Sequence, residues 1–405
     1  MPRFEPFSAL RYAPSCDLTG VLAPPYDVLS PSDVDRLQAS HEHNITFIDV
    51  PRGGPDRYQR SAQLLRQWQD QGVLVADPEP SLTIYRMAFT DATGTPRVIS
   101  GVFGGLEVTD EAAGGVLRHE RTTPKDSTDR LDLTQATATN LSAVWGLSLA
   151  SGLTAALAEP GQALGEVVLD GVKHSVERVD QPDRIARIAE IVGRDDVLIA
   201  DGHHRYGVAR VYRDQVRAAS GRTDTAAELA LTFVNELSQD QLSIEAIHRL
   251  YAGVDPDVLR QRLAQSFDFA PAARPTPASL TEMVELGRLI LLWPDGRAEW
   301  LIARPGAFDQ VRPLDGAWLE QALAGLDHTV SYQHGLDQTL GQVASGAHTA
   351  GVLIRPTSLT EIVRTAREGL LMPPKSTFFT PKLLTGWVIR PTAQVGNSSL
   401  ARPGH

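Results

Sequence analysis

The feature that most limits the fold of this sequence is a short apolar run between two helical patterns. Val197-Leu198-Ile199-Ala200 is too short for a helix of its own, while residues 182–193 and 204–219 on either side repeat apolar side chains at helical spacing. A buried strand, a turn and a helix are the simplest interpretation. We therefore predict an α/β chain in which the polar turn Asp201-Gly202-His203-His204-Arg205 follows a strand.

The rest of the chain has the texture of an α+β protein with mixed sheets. Ser30-Pro31-Ser32-Asp33 is a helix-start signal. Periodicity predicts further helices near residues 32–40, 55–68, 256–266, 314–324 and 357–368. Alternation predicts strands near residues 81–89, 97–103, 230–234, 243–251, 288–293, 298–303, 350–355 and 384–390.

Two stretches break these patterns. Residues 116–133 are dense in charged and hydroxyl side chains, which predicts a loop. Residues 270–277 are rich in proline and predict a linker or a long surface loop. We therefore expect three regions: an N-terminal α+β region over 1–110, a catalytic region over 111–270 and a C-terminal α/β region over 271–405 that packs on the site. The last residues, 397–405, are expected to fray.

Composition limits the compartment and the partners. Hydrophobic residues make up 42% of 405 residues, which is enough for two or three cores. Cys16 is the only cysteine, so no internal disulfide or multi-cysteine zinc site can form, and a reducing, cytoplasmic location is expected. No apolar run approaches the roughly 20 residues of a membrane span. The net charge is −11, and the sequence has no cluster of Lys and Arg that would form a basic stripe. We therefore expect neither a membrane nor nucleic acid as a partner.

The Asp201 turn is the first candidate site. Ligands collect where strands of α/β proteins end, and Gly202 permits a tight turn before a helix whose free N–H groups favour an anion. His203, His204 and Arg205 add positively charged donors, whereas Asp201 suits a general base or a ligand for Mg²⁺. The plainer alternative is that Asp201 caps the helix and the histidines pack or face water. Adjacent histidines diverge on a helix, so zinc is not expected.

Two other segments have anion-binding character. In the first, the possible base Glu120 accompanies His119, Lys125 and Arg130, although a solvated charged loop would look the same. In the second, prolines and aromatics alternate with Lys375, Ser376, Thr377 and Lys382, which suits a rigid anion-binding wall or an ordinary edge strand. We expect all three segments to line one cleft.

Four motifs together resemble the DUF1015 family of unknown function. They are Pro24-Pro25-Tyr26-Asp27-Val28, His119-Glu120 through Asp129-Arg130, Asp201 to Tyr206, and Pro374 to Thr377. They span nearly the whole chain. The family usually has a glutamate after the tyrosine of the third motif, where this chain has Gly207, so no role passes to that position.

The Asp201 turn also resembles that of free serine kinases of the ParB/sulfiredoxin superfamily. This resemblance implies a ParB/sulfiredoxin-like core around the turn, ATP or ADP with Mg²⁺ as cofactors, and a small hydroxylated substrate such as L-serine. It also implies that Gly202, His203, His204 and Arg205 hold phosphates, that Asp201 lies near Mg²⁺ or the acceptor hydroxyl, and that another segment supplies the base. Glu120 is assigned to that last role by residue type.

A small-molecule kinase is therefore the expected function. Phosphoryl transfer requires mainly positioning and neutralisation of charge, which these segments can supply. No Walker A or protein-kinase signature is present. A phosphatase or NTP hydrolase, and a non-enzymatic nucleotide-binding regulator, remain as alternatives.

Overall fold

The computed structural model describes residues 1–92, 94–110, 113–118, 124–372 and 375–392, without the side chains of 124–127. Its strands are β1 Phe4–Glu5, β2 Leu10–Tyr12, β3 Leu74–Ala76, β4 Leu82–Thr90, β5 Pro96–Glu107, β6 Val116–Leu117, β7 Thr139–Asn140, β8 Val144–Ser148, β9 Gln162–Leu169, β10 Val172–Val179, β11 Val197–Asp201, β12 Leu229–Glu236, β13 Ile244–Glu245, β14 Ile247–Ala252, β15 Phe267–Ala272, β16 Leu289–Leu292, β17 Ala298–Ala303, β18 Thr329–His334, β19 Ala350–Leu353, β20 Phe378–Phe379 and β21 Arg390–Pro391.

The helices begin and end close to the predicted positions wherever periodicity was strong. They are α1 Pro31–Ser40, α2 Thr46–Asp49, α3 Arg57–Asp70, α4 Pro124–Thr137, α5 Leu153–Leu157, α6 Pro182–Val192, α7 His203–Ser220, α8 Pro256–Leu263, α9 Pro277–Leu286, α10 Asp315–Ala322, α11 Leu336–Ala344 and α12 Leu359–Arg367. Within the described ranges, no helix is both long enough and apolar enough to cross a membrane.

The larger sheet has nine strands in the order β6-β11-β8-β12-β5-β4-β10-β9, with β1 added beside β5. β11 pairs parallel with β6, and β12 pairs parallel with β8, while the other neighbours are antiparallel. A second sheet has six strands in the order β15-β17-β16-β19-β14-β18. The predicted α/β class with mixed sheets is confirmed.

Both faces of the larger sheet are covered at its centre. Leu198 and Phe233 belong to a core on one face, and their chain neighbours Val197 and Val234 belong to a core on the other, packed on α5 and α6. Because β11 is buried on both sides, its residues form a continuous apolar run instead of an alternating one. This explains the pattern from which the strand was predicted.

The predicted loop over residues 116–133 is wrong in two places. Val116 and Leu117 form β6, and α4 begins at Pro124, which suits the first position of a helix. Leu133 and Arg130 lie on the inner side of α4 and are buried. Tertiary packing therefore stabilises a helix whose composition is typical of a loop.

Two predicted strands are also wrong in extent. Residues 243–251 form two strands, because β13 pairs with β20 whereas β14 belongs to the six-stranded sheet. Residues 384–390 make only isolated bridges at Thr385 and Ile389 before β21, and Gly386, at φ 104°, interrupts them. A left-handed residue cannot continue a strand.

The proline-rich stretch at residues 270–277 is neither a linker nor a long loop. Its first residues complete β15, and α9 begins at Pro277. The six-stranded sheet runs from Ile247 to Leu353 and so crosses the expected boundary at residue 270. The division into three regions stays a prediction.

Candidate functional site

The Asp201 turn lies where the sequence predicted, between the end of β11 and the start of α7. A bulge beside β8 shifts the register between Ile199 and Asp201. Gly202 has φ 85°, the left-handed region that favours glycine. A Cβ atom there would lie 3.0 Å from the guanidinium of Arg205 and 3.3 Å from the backbone of Val144. Glycine is required both for the turn and for the space that Arg205 occupies.

Asp201 lies between two cations. Lys382 Nζ donates to its Oδ1 at 3.3 Å, and Arg205 Nη2 donates to its Oδ2 at 2.8 Å. Burial by itself would raise the pKa of Asp201, but the charges of Lys382 and Arg205 outweigh burial and hold that pKa far below its usual range. The side chain retains 23% exposure. Asp201 is therefore a permanent anion that remains partly accessible to solvent.

Arg205 joins a second carboxylate to the first. Its side chain is 7% exposed, and the same Nη2 atom that contacts Asp201 also contacts Asp27 Oδ2 at 3.4 Å. Its Nη1 donates to the carbonyl oxygen of Ala143. Burial opposes its charge, but Asp27 and Asp201 raise the pKa of Arg205 above its ordinary value. Arg205 thus serves to hold Asp27 and Asp201 together.

Arg130 approaches the same region from α4. Its guanidinium lies 4.1 Å from the ring centroid of Tyr26, and it pairs with buried Asp49 at 3.3 Å and with Asp129 at 2.7 Å. Burial raises the pKa of Asp49, while Arg130 opposes that shift. Burial also raises the pKa of Tyr26, to about 12. The end of the His-Glu motif thus meets the Pro-Pro-Tyr-Asp motif.

A small cavity connects these groups. It has a volume of about 50 Å³, and its wall includes Tyr26, Asp49, Arg130, Ser142 and Arg205. That volume admits water but not a nucleotide. A larger ligand would have to approach from the side on which Asp27 and Asp201 reach the surface.

The histidines begin α7. His203 is buried at 7% exposure, and its charge favours the ionised form of Asp201, whereas His204 is half-buried. The first N–H groups of α7 have no side-chain cap at Gly202. The alternative that Asp201 caps this helix is not what is observed, since both of its oxygens contact cations and Gly202 occupies the cap position.

The described residues of the third predicted segment, within 372–382, lie in two different places. Lys382 joins Asp201, and its Nζ also lies 4.4 Å from the ring centroid of Phe378. By contrast, the carbonyl of Lys375 accepts from Arg249 at 3.4 Å, and that of Ser376 accepts from Thr357 at 2.8 Å, both beside the six-stranded sheet. The expectation that Lys375, Ser376 and Thr377 line the Asp201 cleft stays a prediction.

Two predicted residues, His119 and Glu120, lie outside the described residues, and so does the side chain of Lys125, which belongs to α4. Asp27 and Tyr26 lay within a motif that the sequence displayed, yet no role was predicted for them. Asp49 had no sequence signal at all. In the described part of the chain, no group of three His, Cys, Asp or Glu side chains could hold a metal ion by itself.

Comparisons with known proteins give a family and distant structural similarities. Among solved structures, a free serine kinase variant in complex with AMP shares 12% identity and a TM-score of 0.38, covering 70% of this chain and 88% of its own. SbnI from Staphylococcus aureus, truncated at its C-terminus, shares 13% identity and a TM-score of 0.38, covering 71% and 86%. A conserved hypothetical protein from Pyrococcus furiosus shares 12% identity and a TM-score of 0.36, covering 70% and 91%.

No curated protein matches the chain. The model of the family described as "Protein of unknown function (DUF1015)" matches residues 4–325, well over half of the sequence. The predicted resemblance is confirmed, and the chain belongs to the DUF1015 family.

Proposed function

We propose that this protein is a nucleotide-dependent kinase that phosphorylates a hydroxyl of a small metabolite at the Asp201 cleft. One observation carries the proposal: Arg205 holds two partly exposed carboxylates, Asp27 and Asp201, together at the start of α7. L-serine is the first acceptor to test, because the turn from Asp201 to Arg205 resembles that of free serine kinases.

The charges at the cleft suit a nucleotide carrying a divalent cation. The start of α7 and Lys382 favour phosphate oxygens. Mg²⁺ is usually held by one or two carboxylates together with substrate phosphates, and Asp201 and Asp27 offer that set. When bound, Mg²⁺ would neutralise charge on the transferred phosphoryl group.

Asp201 is better suited to holding a cation than to acting as a base. A general base works best when its pKa lies near the operating pH, whereas that of Asp201 is held far below its usual value. Arg205 supports the site by fixing both carboxylates, since its Nη atoms bond Asp27, Asp201 and the Ala143 carbonyl. Glu120 is our candidate for the base that takes the acceptor proton.

The first test measures nucleotide affinity by calorimetry in native protein and in Lys382→Met. Loss of a charged hydrogen-bond donor should weaken binding by roughly 1–3 kcal/mol. Lys173→Met is the matched control, since Lys173 pairs with Glu166 on the exposed far edge of the same sheet. Equal affinities in native protein and Lys382→Met would remove Lys382 from the site.

The second test separates base from cation ligand by kinetics with Mg²⁺ titrated. Glu120→Gln should leave nucleotide binding nearly intact and lower turnover by about 10²–10⁴-fold. Asp201→Asn should instead raise the Mg²⁺ concentration that the reaction needs, because an amide is a poorer ligand. Glu166→Gln, far from the turn, is the control. Turnover close to native in both site variants would overturn these assignments.

A further inference from the structure

A second cavity lies at the six-stranded sheet. It has a volume of about 290 Å³, and its wall includes Arg249 from β14, Gly316 and Trp318 from α10, Arg355 and Ser376. Neither Asp201 nor Lys382 lines this cavity. This cavity is therefore separate from the Asp201 turn.

Arg249 is a buried cation without a carboxylate partner among the described residues. It is 4% exposed, and its Nη1 atom donates to the carbonyl oxygens of Ile247 and Lys375. In that part of the chain, no protein acceptor engages its Nη2 or Nε atoms. Burial lowers the pKa of Arg249, and the charges of Glu320 and Asp315, which act without a direct contact, do not offset that effect.

The other arginine of the cavity shows what pairing looks like there. Arg355 donates to both oxygens of Asp315, with Nε–Oδ2 at 3.0 Å. The backbone N–H of Arg355 also donates to Asp315. The carboxylate of Asp315 is thus engaged by Arg355. Burying a charge without compensation is costly, so Arg249, which has no carboxylate partner in the described part of the chain, calls for an anion from outside the chain.

The surroundings of Arg249 leave room for that anion. Its guanidinium lies 4.7 Å from the ring centroid of Tyr332. A Cβ atom on Gly316 would lie 2.8 Å from Nη2, so glycine leaves that atom uncovered. Gly316 is in the first turn of α10, and Ser358, which caps α12, also lines the cavity. Helix starts favour negative charge.

We propose that this cavity binds a small oxyanion, a phosphate or carboxylate group, with the Nη2 and Nε atoms of Arg249 as its forked donors. A guanidinium matches either group through two parallel hydrogen bonds. The inference does not depend on the proposed kinase function, because it uses none of the residues around Asp201.

The test uses full-length protein labelled with 5-fluorotryptophan and observed by ¹⁹F NMR. Trp318 lines the cavity, and its resonance is assigned with Trp318→Phe. Inorganic phosphate and acetate are titrated separately at constant ionic strength against chloride. A saturable shift of the Trp318 resonance is expected with at least one oxyanion and not with chloride, and whichever probe binds more tightly identifies the group.

Variants of the cavity test whether Arg249 is the residue that donates to the anion. Arg249→Met should weaken the binding that shifts Trp318 by roughly tenfold or more, and Arg249→Lys should restore only part of it. Gly316→Ala, which leaves the charge in place, should weaken it because a methyl group crowds Nη2. Arg304→Met is the control, since Arg304 pairs with exposed Asp268 elsewhere on the sheet.

The melting temperature of Arg249→Met distinguishes an anion-binding role of Arg249 from a structural one. Without added anion, Arg249→Met should unfold at the same or a higher temperature, because it removes a buried uncompensated charge. A lower melting temperature, together with an unchanged phosphate response of Trp318, would make Arg249 structural and overturn the proposal. So would the absence of any shift in native protein, and if Arg249→Met does not fold, Gly316→Ala decides.

Discussion

Gly202 shows how one residue shapes the site. Its left-handed backbone and the 3.0 Å approach of Arg205 leave no space for a side chain. Gly202→Ala should cost at least about 1–2 kcal/mol of unfolding free energy, the usual cost of that backbone region. It should also displace Arg205 from Asp27 and Asp201. Urea denaturation measures the first effect.

The same helix offers a matched control. Gly207 lies inside α7 with nothing within 4 Å of its Cβ position. Gly207→Ala should therefore stabilise the protein by up to about 1 kcal/mol. If Gly202→Ala destabilises the protein no more than Gly207→Ala does, the strain attributed to position 202 is absent.

At the scale of elements, α4 is attached to the N-terminal region by buried charge. Arg130 of α4 is the ion-pair partner of Asp49 at the end of α2. Arg130→Met would leave Asp49 uncompensated and should cost about 3–5 kcal/mol. Arg57→Met, on α3, breaks a half-buried pair with Asp129 of α4, which keeps its contact with Arg130, and should cost only about 1 kcal/mol. Equal losses in denaturant melts would contradict this difference.

The prediction from sequence succeeded for elements with a strong local signal. The helix start at Ser30 appears as a capping box with Asp33, and the unit β11-Gly202-α7 appears where the apolar run and the glycine required it. The helix α4 was missed, because buried partners such as Asp49, distant in sequence, stabilise it. Apolar periodicity depends only on the residues of the helix itself and carries no information about partners that are distant in sequence.

Part of the geometry around the Asp201 turn agrees with the sequence prediction. Asp201 contacts both Arg205 and Lys382, and Lys382 comes from one of the three segments expected to meet, while the roles of these residues stay predictions. Asp27 was overlooked because its partner, Arg205, is 178 residues away. Arg249 gave no signal in the sequence, since the burial of an arginine and its lack of a carboxylate partner among the described residues are known only from the structure.

At the scale of the whole molecule, two buried histidines make stability depend on pH. Burial lowers the pKa of His174 in the larger sheet, and that of His248 in the smaller one, to about 4. Both folded-state values lie below the ordinary 6.5, so the unfolded chain binds more protons between these limits. The stabilisation is complete above about pH 6.5 and is lost as the pH falls toward about 4.

Urea denaturation measured between pH 6.5 and about pH 4 should show this loss of stability. Each histidine contributes up to about 3 kcal/mol to the loss. His174→Phe keeps a ring against Tyr85 but removes the 2.6 Å hydrogen bond between the Tyr85 hydroxyl and His174 Nδ1. It should lessen the pH dependence while lowering stability at pH 8 by about 1–3 kcal/mol. An unfolding free energy that stays constant from pH 7 to pH 4.5 would contradict the burial of both side chains.

Transfer of a phosphoryl group at the Asp201 turn can be observed by ³¹P NMR. Native protein and Asp201→Asn are incubated at a Mg²⁺ concentration that limits the reaction of native protein, with a nucleotide (ATP, ADP or CTP in turn) and pools of amino-acid and sugar hydroxyls, and with L-serine tested alone. We predict that native protein forms a phosphate ester and that Asp201→Asn forms far less of it. Release of inorganic phosphate alone, no loss of nucleotide in any mixture, or an ester formed equally by Asp201→Asn would contradict it.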